Sequence, residues 1–192
     1  MQLDLQDKRV LVTGSSRGIG LAIALELARH GARVIVHGPS RNDELDRAAA
    51  EVRKYCPQAP VIPADLEYPT EISALMDHVE GEVGGLDALV NNAAVQNPRS
   101  ILDLPPEDWD RVMAVNLRAP LLCAQHAARM MIAQGTGGRI VNISSVHGQQ
   151  PRRHFAHYSS SKAALEQLTR CLALELGEYN IQANAIAPGA IA

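Results

Sequence analysis

Six short apolar runs rich in β-branched residues alternate along this chain with longer segments of helical period, and that alternation limits the folds open to it. Residues 9–13, 33–37, 60–64, 88–91, 139–144 and 182–187 read as strands. They are apolar on both faces, as strands lying between two helical layers must be. Residues 18–30, 43–54, 69–82, 106–134 and 157–179 read as helices. In the first of these, Ile19, Ile23 and Leu27 form one apolar line, and Gly31 stands where a C-terminal cap belongs. Strand–helix alternation with short links predicts an α/β fold: a doubly wound parallel sheet in three layers, as a single domain over residues 1–192.

Composition narrows the function. At 192 residues, 46% of them hydrophobic and 20% charged, the chain can bury a sizeable core without staples. With one Phe and one Trp, that core must be built from Ala, Val, Ile and Leu. A net charge of −3 argues against nucleic acid as a partner. Cys56, Cys123 and Cys171 lack metal-ligand spacing and read as reduced thiols of a cytoplasmic protein, with no metal site expected. No apolar signal region opens the sequence and no membrane-length apolar run follows, so neither export nor a membrane partner is expected.

The distinctive residues collect at the carboxyl ends of the predicted strands, where ligands of open parallel sheets bind. Residues 14–20 follow the first strand, 38–41 the second, Asp65 the third, 91–94 the fourth, Ser145 the fifth and 188–189 the sixth. The first cluster, Thr13-Gly14-Ser15-Ser16-Arg17-Gly18-Ile19-Gly20, leads into a helix. Glycines admit a pyrophosphate close to the backbone, and a helix N-terminus supplies free N–H groups and positive dipole. The spacing differs from the Gly-x-Gly-x-x-Gly fingerprint, and a glycine turn without a ligand is the simpler alternative.

Tyr158 and Lys162 stand one helical turn apart, with Ser145 upstream. A free tyrosine, with a reference pKa of about 10, lies about 4 kcal/mol from working at neutral pH. An ammonium about 5 Å away supplies on the order of 3 kcal/mol of that at an effective dielectric of about 20.

The ordered set Thr-Gly-x-x-x-Gly-Ile-Gly, Asn91-Asn92-Ala93-Ala94, Asn116, Ser145, Tyr158-x-x-x-Lys162 and Pro188-Gly189 resembles the short-chain dehydrogenase/reductase family over essentially the whole chain. Within it, the 3-oxoacyl-carrier-protein reductases are a similar subgroup. The resemblance implies a Rossmann-type sheet and an oxidoreductase that moves a hydride between a nicotinamide cofactor and a carbonyl or secondary alcohol. It implies Tyr158 as acid/base, Lys162 as the group that tunes it and binds the nicotinamide ribose, Ser145 as the holder of the substrate oxygen, and Asn116 as the fourth catalytic residue. The positive nicotinamide ring of the oxidised cofactor adds to the effect of Lys162.

The cofactor contacts implied are Gly14, Ser16, Arg17, Gly18, Ile19 and Gly20 in the glycine loop, and Asp65 and Leu66 at the adenine. Asn91 and Ala93 form the adenosine-side wall, and Tyr158, Lys162, Pro188 and Gly189 complete the set. At the end of the second strand the family commonly places a carboxylate for the ribose of NAD. Here the chain reads His37-Gly38-Pro39-Ser40-Arg41, with no carboxylate before Asp43. Arg17, Ser40 and Arg41 suit a 2′-phosphate, so NADP(H) is expected in preference to NAD(H).

Pro120 lies four residues after Asn116 inside the predicted helix and has no N–H to offer the Asn116 carbonyl. That carbonyl is free to hold a water on the way to the lysine; an ordinary kink is the other reading. His147, His154 and His157 crowd the region; His157 adjoins Tyr158 but points elsewhere on the helix, and His154 reads as a partly exposed loop histidine or as part of the substrate cleft. Arg152-Arg153 read as a solvated pair or as recognition of an anionic or carrier-bound substrate.

Family members commonly extend further, so the substrate-covering lid and last strand of the sheet are expected to be lacking. The alternative function is then a non-catalytic dinucleotide-binding or regulatory protein, against which Asn116, Ser145, Tyr158 and Lys162 together argue. A sugar-nucleotide epimerase fits less well, because that branch usually has shorter glycine spacing. The resemblance also implies a homo-oligomer, dimer or tetramer, assembled through the two long helices. A 3-oxoacyl thioester, a sugar or polyol, a steroid-like ketone and a simple carbonyl all remain candidate substrates.

Overall fold

The computed structural model describes residues 5–189. Its strands are β1 (Arg9–Val12), β2 (Arg33–Gly38), β3 (Val61–Pro63), β4 (Ala88–Asn91), β5 (Gly138–Ile143) and β6 (Ile181–Ile186). They form one parallel sheet in the order β3-β2-β1-β4-β5-β6. Strand order reverses between β1 and β4, so the crevice for a ligand opens at their carboxyl ends. The helices are α1 (Gly18–Arg29), α2 (Asp43–Arg53), α3 (Pro69–His78), α4 (Pro106–Met113), α5 (Ala119–Gln134) and α6 (Ala156–Leu176).

Successive strand residues point to opposite faces, and both faces are apolar. On one, Val10, Val12, Val34, Val36 and Val90 pack with Ala24, Ala28, Leu45, Ala48 and Val52 of α1 and α2. On the other, Leu11, Ile35, Leu89 and Ile140 pack with Ile72, Leu75 and Met76 of α3 and Ala124, Ala127 and Met131 of α5. Alanine on the helices lets them approach the sheet closely, which is how a core with almost no aromatic residues reaches density. Each buried Leu or Ile contributes about 1.5–3 kcal/mol against leaving it in water.

The long predicted helix 106–134 is two helices joined by a widened, π-type turn, Ala114–Arg118. Pro120 explains the break: it falls at the start of α5, where its missing N–H costs least. Similarly, α3 ends in a π-type turn at Val79–Val83, closed by Gly84 at φ +76°. The third strand is shorter than residues 60–64, being flanked by Pro60 and ended by Pro63, neither of which has an N–H for a ladder.

All three thiols are free, and burial among apolar groups pushes the Cys123 thiol up to about 12. Among the described residues no helix is long and apolar enough to cross a membrane, and no group of side chains is arranged to hold a metal.

Candidate active site

The glycine loop is fixed from beneath by side chains that bond its backbone. Gly14 and Gly18 have φ of +63° and +55°, which side-chain-bearing residues rarely adopt. Asn92 Nδ2 donates to the carbonyls of Thr13 at 2.9 Å and Gly14 at 3.1 Å. Thr13 Oγ1 accepts in turn from the Asn92 and Ala93 amides. His37, at the end of β2, is 1% exposed. Its Nδ1 accepts from the Gly14 N–H at 3.0 Å, so Nε2 carries the proton and donates to the Ala64 carbonyl at 3.1 Å. Burial lowers the His37 pKa to about 4, and the two bonds require the neutral ring.

The residues fit a dinucleotide pyrophosphate. A Cβ on Gly20 would strike the Gly14 carbonyl and the Asn92 amide, and one on Gly14 would come within 2.9 Å of Ala93 Cα. A Cβ on Gly18 meets nothing within 4 Å, so that position faces open space. The first turn of α1 contains no acidic residue, and its N-cap, Arg17, makes no side-chain cap bond. Its N–H groups and dipole are left for an anion.

A cleft of about 480 Å³ runs along this loop, and nine of the predicted cofactor residues line it: Gly14, Ser16, Arg17, Gly18, Ile19, Gly20, Asp65, Leu66 and Ala93. Ser40 and Arg41 are exposed and outside this lining, with Arg41 Nε paired to Asp46 Oδ1 at 2.7 Å. Glu44 was not singled out by the sequence, yet it lines the cleft. Its Oε2 accepts from Ser16 Oγ at 3.2 Å, and its Oε1 lies 3.6 Å from Arg17 Nη1. A carboxylate thus reaches the cleft from the first turn of the next helix, a placement that depends on helix phase rather than on linear distance.

Asn91, expected in the adenosine-side wall, has a side chain engaged within the protein. Its side chain is buried, and Nδ2 donates to Asn142 Oδ1 at 2.9 Å and to the Pro120 carbonyl at 3.3 Å. Asn142 passes the chain on to Thr169 Oγ1. The side chain is thus spent on joining β4, β5, α5 and α6, because a buried amide must find partners on each side. Asn92 and His37 brace the glycine loop and were not among the residues expected at the site.

Lys162 and Tyr158 meet on α6. Lys162 is 2% exposed, its Nζ donates to the Ile143 carbonyl at 2.7 Å, and it lies 5.7 Å from the centroid of the Tyr158 ring. Burial lowers the lysine's pKa to about 8. Phe155 meets the same ring edge-to-face, with centroids 6.0 Å apart. Of the two adjacent serines, Ser144 Oγ donates to Glu166 Oε1 at 2.9 Å, whereas Ser145 Oγ accepts from the His147 amide and keeps its own O–H to give. Ser144 and Val146 are tied to the end of β6 through the Ile186 and Pro188 carbonyls. Pro188 is half-buried and Gly189 exposed beyond it.

Asn116 sits in the π-type turn, 1% exposed. Both ends of its amide bond the Val95 backbone, at 2.8 and 2.9 Å. Its Nδ2 also donates to Ser161 Oγ, which donates to the Tyr158 carbonyl. The turn before Pro120 is thereby fastened both to the loop after β4 and to the helix that holds Tyr158. His154 is exposed, whereas His157 is fully buried.

The family model described as short chain dehydrogenase matches residues 8–192. A short-chain dehydrogenase/reductase of Armillaria gallica is 39% identical over 187 residues, 97% of this chain and 72% of that one. The 5-keto-D-gluconate 5-reductase of Escherichia coli K12 is 35% identical over 185 residues, 96% of this chain and 72% of the enzyme. In three dimensions the chain is similar to acetoin dehydrogenase from Salmonella typhimurium, with a TM-score of 0.92 and 39% identity, over 97% of this chain and 74% of that structure.

Proposed function

The chain belongs to the short-chain dehydrogenase/reductase family and is an NAD(P)-dependent oxidoreductase, and from that premise we propose that it interconverts a carbonyl and a secondary alcohol with Tyr158 as acid/base and NADP(H) as the preferred cofactor. The observation that carries this reading is the buried ammonium of Lys162 over the face of Tyr158, at the same sheet edge as the glycine cradle. When bound, the nicotinamide supplies or accepts the hydride at the substrate carbon.

The remaining work falls to side chains of this chain. In reduction Tyr158 gives its phenolic proton to the carbonyl oxygen, and in oxidation it takes the proton from the alcohol. Ser145 donates its free O–H to the same oxygen, holding it at the tyrosine. One donor of the Lys162 ammonium is held by Ile143, which fixes the group in place and leaves two N–H bonds for ribose hydroxyls. The Asn116 carbonyl, to which Pro120 offers no N–H, is the group proposed to hold a water on the way to Lys162.

The 2′-phosphate reading survives the presence of Glu44. The Arg17–Glu44 pair is exposed and 3.6 Å apart, a geometry worth little in water. A phosphate offers Arg17 a charge-assisted, bidentate alternative. The relatives named above act on a keto sugar acid and on acetoin, which supports a small carbonyl or alcohol substrate. A groove of about 600 Å³ beside Met113, Leu117, Leu121 and Leu168 supports assembly as a homo-oligomer, dimer or tetramer. Three free thiols suit the reducing cytoplasm.

The test is turnover on a panel of ketones and alcohols with both cofactors. NADPH is expected to give the higher kcat/KM, and a higher value with NADH overturns the cofactor preference. Tyr158→Phe is expected to lower kcat about a thousandfold while dinucleotide binding persists; near-normal turnover would remove Tyr158 from the reaction.

A further inference from the structure

We propose that Arg152 anchors an anionic group, a carboxylate or a phosphate, on the carbonyl substrate of the Tyr158 site. The inference rests on the carbonyl–alcohol reading of that site and adds the class of substrate.

The Arg152 guanidinium lies over the Phe155 ring, 4.7 Å from its centroid. Phe155 is 7% exposed and stands edge-on to Tyr158. The platform beneath the arginine is therefore a buried ring, in contact with the proposed acid/base. The distance from guanidinium to the Tyr158 ring cannot exceed the sum of the two centroid distances, within reach of one small molecule whose carbonyl sits at Tyr158.

The turn that carries Arg152 is held at each end. The Phe155 N–H donates to the Arg152 carbonyl at 3.2 Å, and the Arg99 N–H donates to the His154 carbonyl at 2.9 Å. His154 has φ +67°, an uncommon left-handed backbone for a residue with a side chain. The segment is built to keep its shape.

Stacking occupies the flat face of a guanidinium and leaves its edge of N–H donors open. That edge matches a carboxylate or phosphate in two parallel bonds. Nearby acidic groups are already engaged. Asp108 pairs with Arg99 at 3.1 Å, and Glu166 bonds Ser144 and Gln149. Among the described residues no carboxylate lies within 4 Å of Arg152, in contrast to Arg17 and Arg41 at the cofactor end, each of which has one. Arg153, its neighbour, stacks on no ring among the described residues and serves as the control.

The experiment compares matched carbonyl compounds with and without the anion: levulinate against its methyl ester, and dihydroxyacetone phosphate against dihydroxyacetone. Wild type is expected to favour at least one anion over its neutral partner, and which pair shows it distinguishes carboxylate from phosphate. Arg152→Gln is expected to lower that ratio by roughly tenfold, chiefly through KM, because a charge-assisted bond is lost. Arg152→Lys should fall between, since it keeps charge but loses the fork and the stack, and Arg153→Gln should leave the ratio as in wild type. Equilibrium binding of the same anions to the NADPH complex, followed by ligand-observed NMR, must show the same loss in Arg152→Gln. A wild-type ratio near one, an unchanged ratio in Arg152→Gln, or no binding of either anion overturns the proposal. The first two results leave the Tyr158 reading standing if Tyr158→Phe still abolishes turnover of the neutral ketones. If Tyr158→Phe turns over as wild type does, the underlying reading is the one that fails.

Discussion

Two helix N-termini lie close together at the carboxyl edge of the sheet, and they are finished in opposite ways. At α2, Asn42 Oδ1 accepts from the Leu45 N–H at 2.9 Å, and Asp43, Glu44 and Asp46 occupy the first turn. That end is satisfied by its own sequence: a cap takes one free N–H, and three carboxylates answer the dipole. At α1 there is no side-chain cap and no acid, only a glycine loop with Gly14 and Gly18 left-handed, Gly14 being held by His37 of β2 and by Asn92 just after β4. A helix end left without internal partners, within a backbone braced from beneath, is what a bound pyrophosphate requires. The contrast also locates the one contact between the two ends. Glu44 of α2 reaches Ser16 and Arg17 at the entrance to α1, placing negative charge beside the glycine loop.

Three substitutions test that contrast. The largest effect is expected at the α1 end. Gly20→Ala drives a methyl into the Gly14 carbonyl and the Asn92 amide, neither of which can move without breaking the brace. It should cost about 2–3 kcal/mol of stability and lower dinucleotide affinity more than about tenfold, read by denaturant titration and by NADPH fluorescence. Wild-type affinity in this variant would show that the close approach of loop to strand is not what shapes the site.

The second effect concerns the brace itself and depends on pH. The folded-state pKa of His37 lies at about 4, below its ordinary value of 6.5. The neutral ring is thus favoured by folding, and its contribution is complete above pH 6.5 and lost as pH falls toward 4. The shift corresponds to about 3 kcal/mol. Asp87, held low by its bond to Arg9, adds its own loss in acid, so the informative quantity is a difference between proteins. His37→Asn should be less stable at neutral pH and lose less than wild type on acidification. Parallel curves for the two proteins would mean that His37 does not titrate as its bonds require.

The smallest effect is expected at the α2 end. Asn42→Ala removes the cap and should cost about 1 kcal/mol in thermal or chemical unfolding. Affinity for NADPH should stay within about twofold, since the capped end is occupied by protein groups and not by ligand. A fall in affinity as large as that of Gly20→Ala would erase the distinction between the two ends.

Local features were legible because they are written locally. The six strands follow from apolar runs that face helices on both sides, and the glycine loop from three glycines at a strand–helix junction. Tyr158 and Lys162 could be paired because one helical turn separates them. What escaped were contacts that join distant segments. Glu44 enters the cleft only through the phase of α2. His37 becomes a brace only when β1 and β3 flank β2 and bring Gly14 and Ala64 to its two nitrogens. The Asn91 side chain is engaged by Asn142 and Pro120, which no spacing along the chain announces.

Sequence alone determined the class of fold, the side of the sheet where ligands bind, and the chemical types available there, because periodicity and residue chemistry act over a few residues at a time. The tertiary structure decided which charges are compensated and which are left open. Arg17 and Arg41 acquire carboxylate partners, Arg152 acquires an aromatic platform, and Lys162 is buried against the Ile143 carbonyl. Those outcomes depend on distances and on exclusion from water, and only the packed chain sets either.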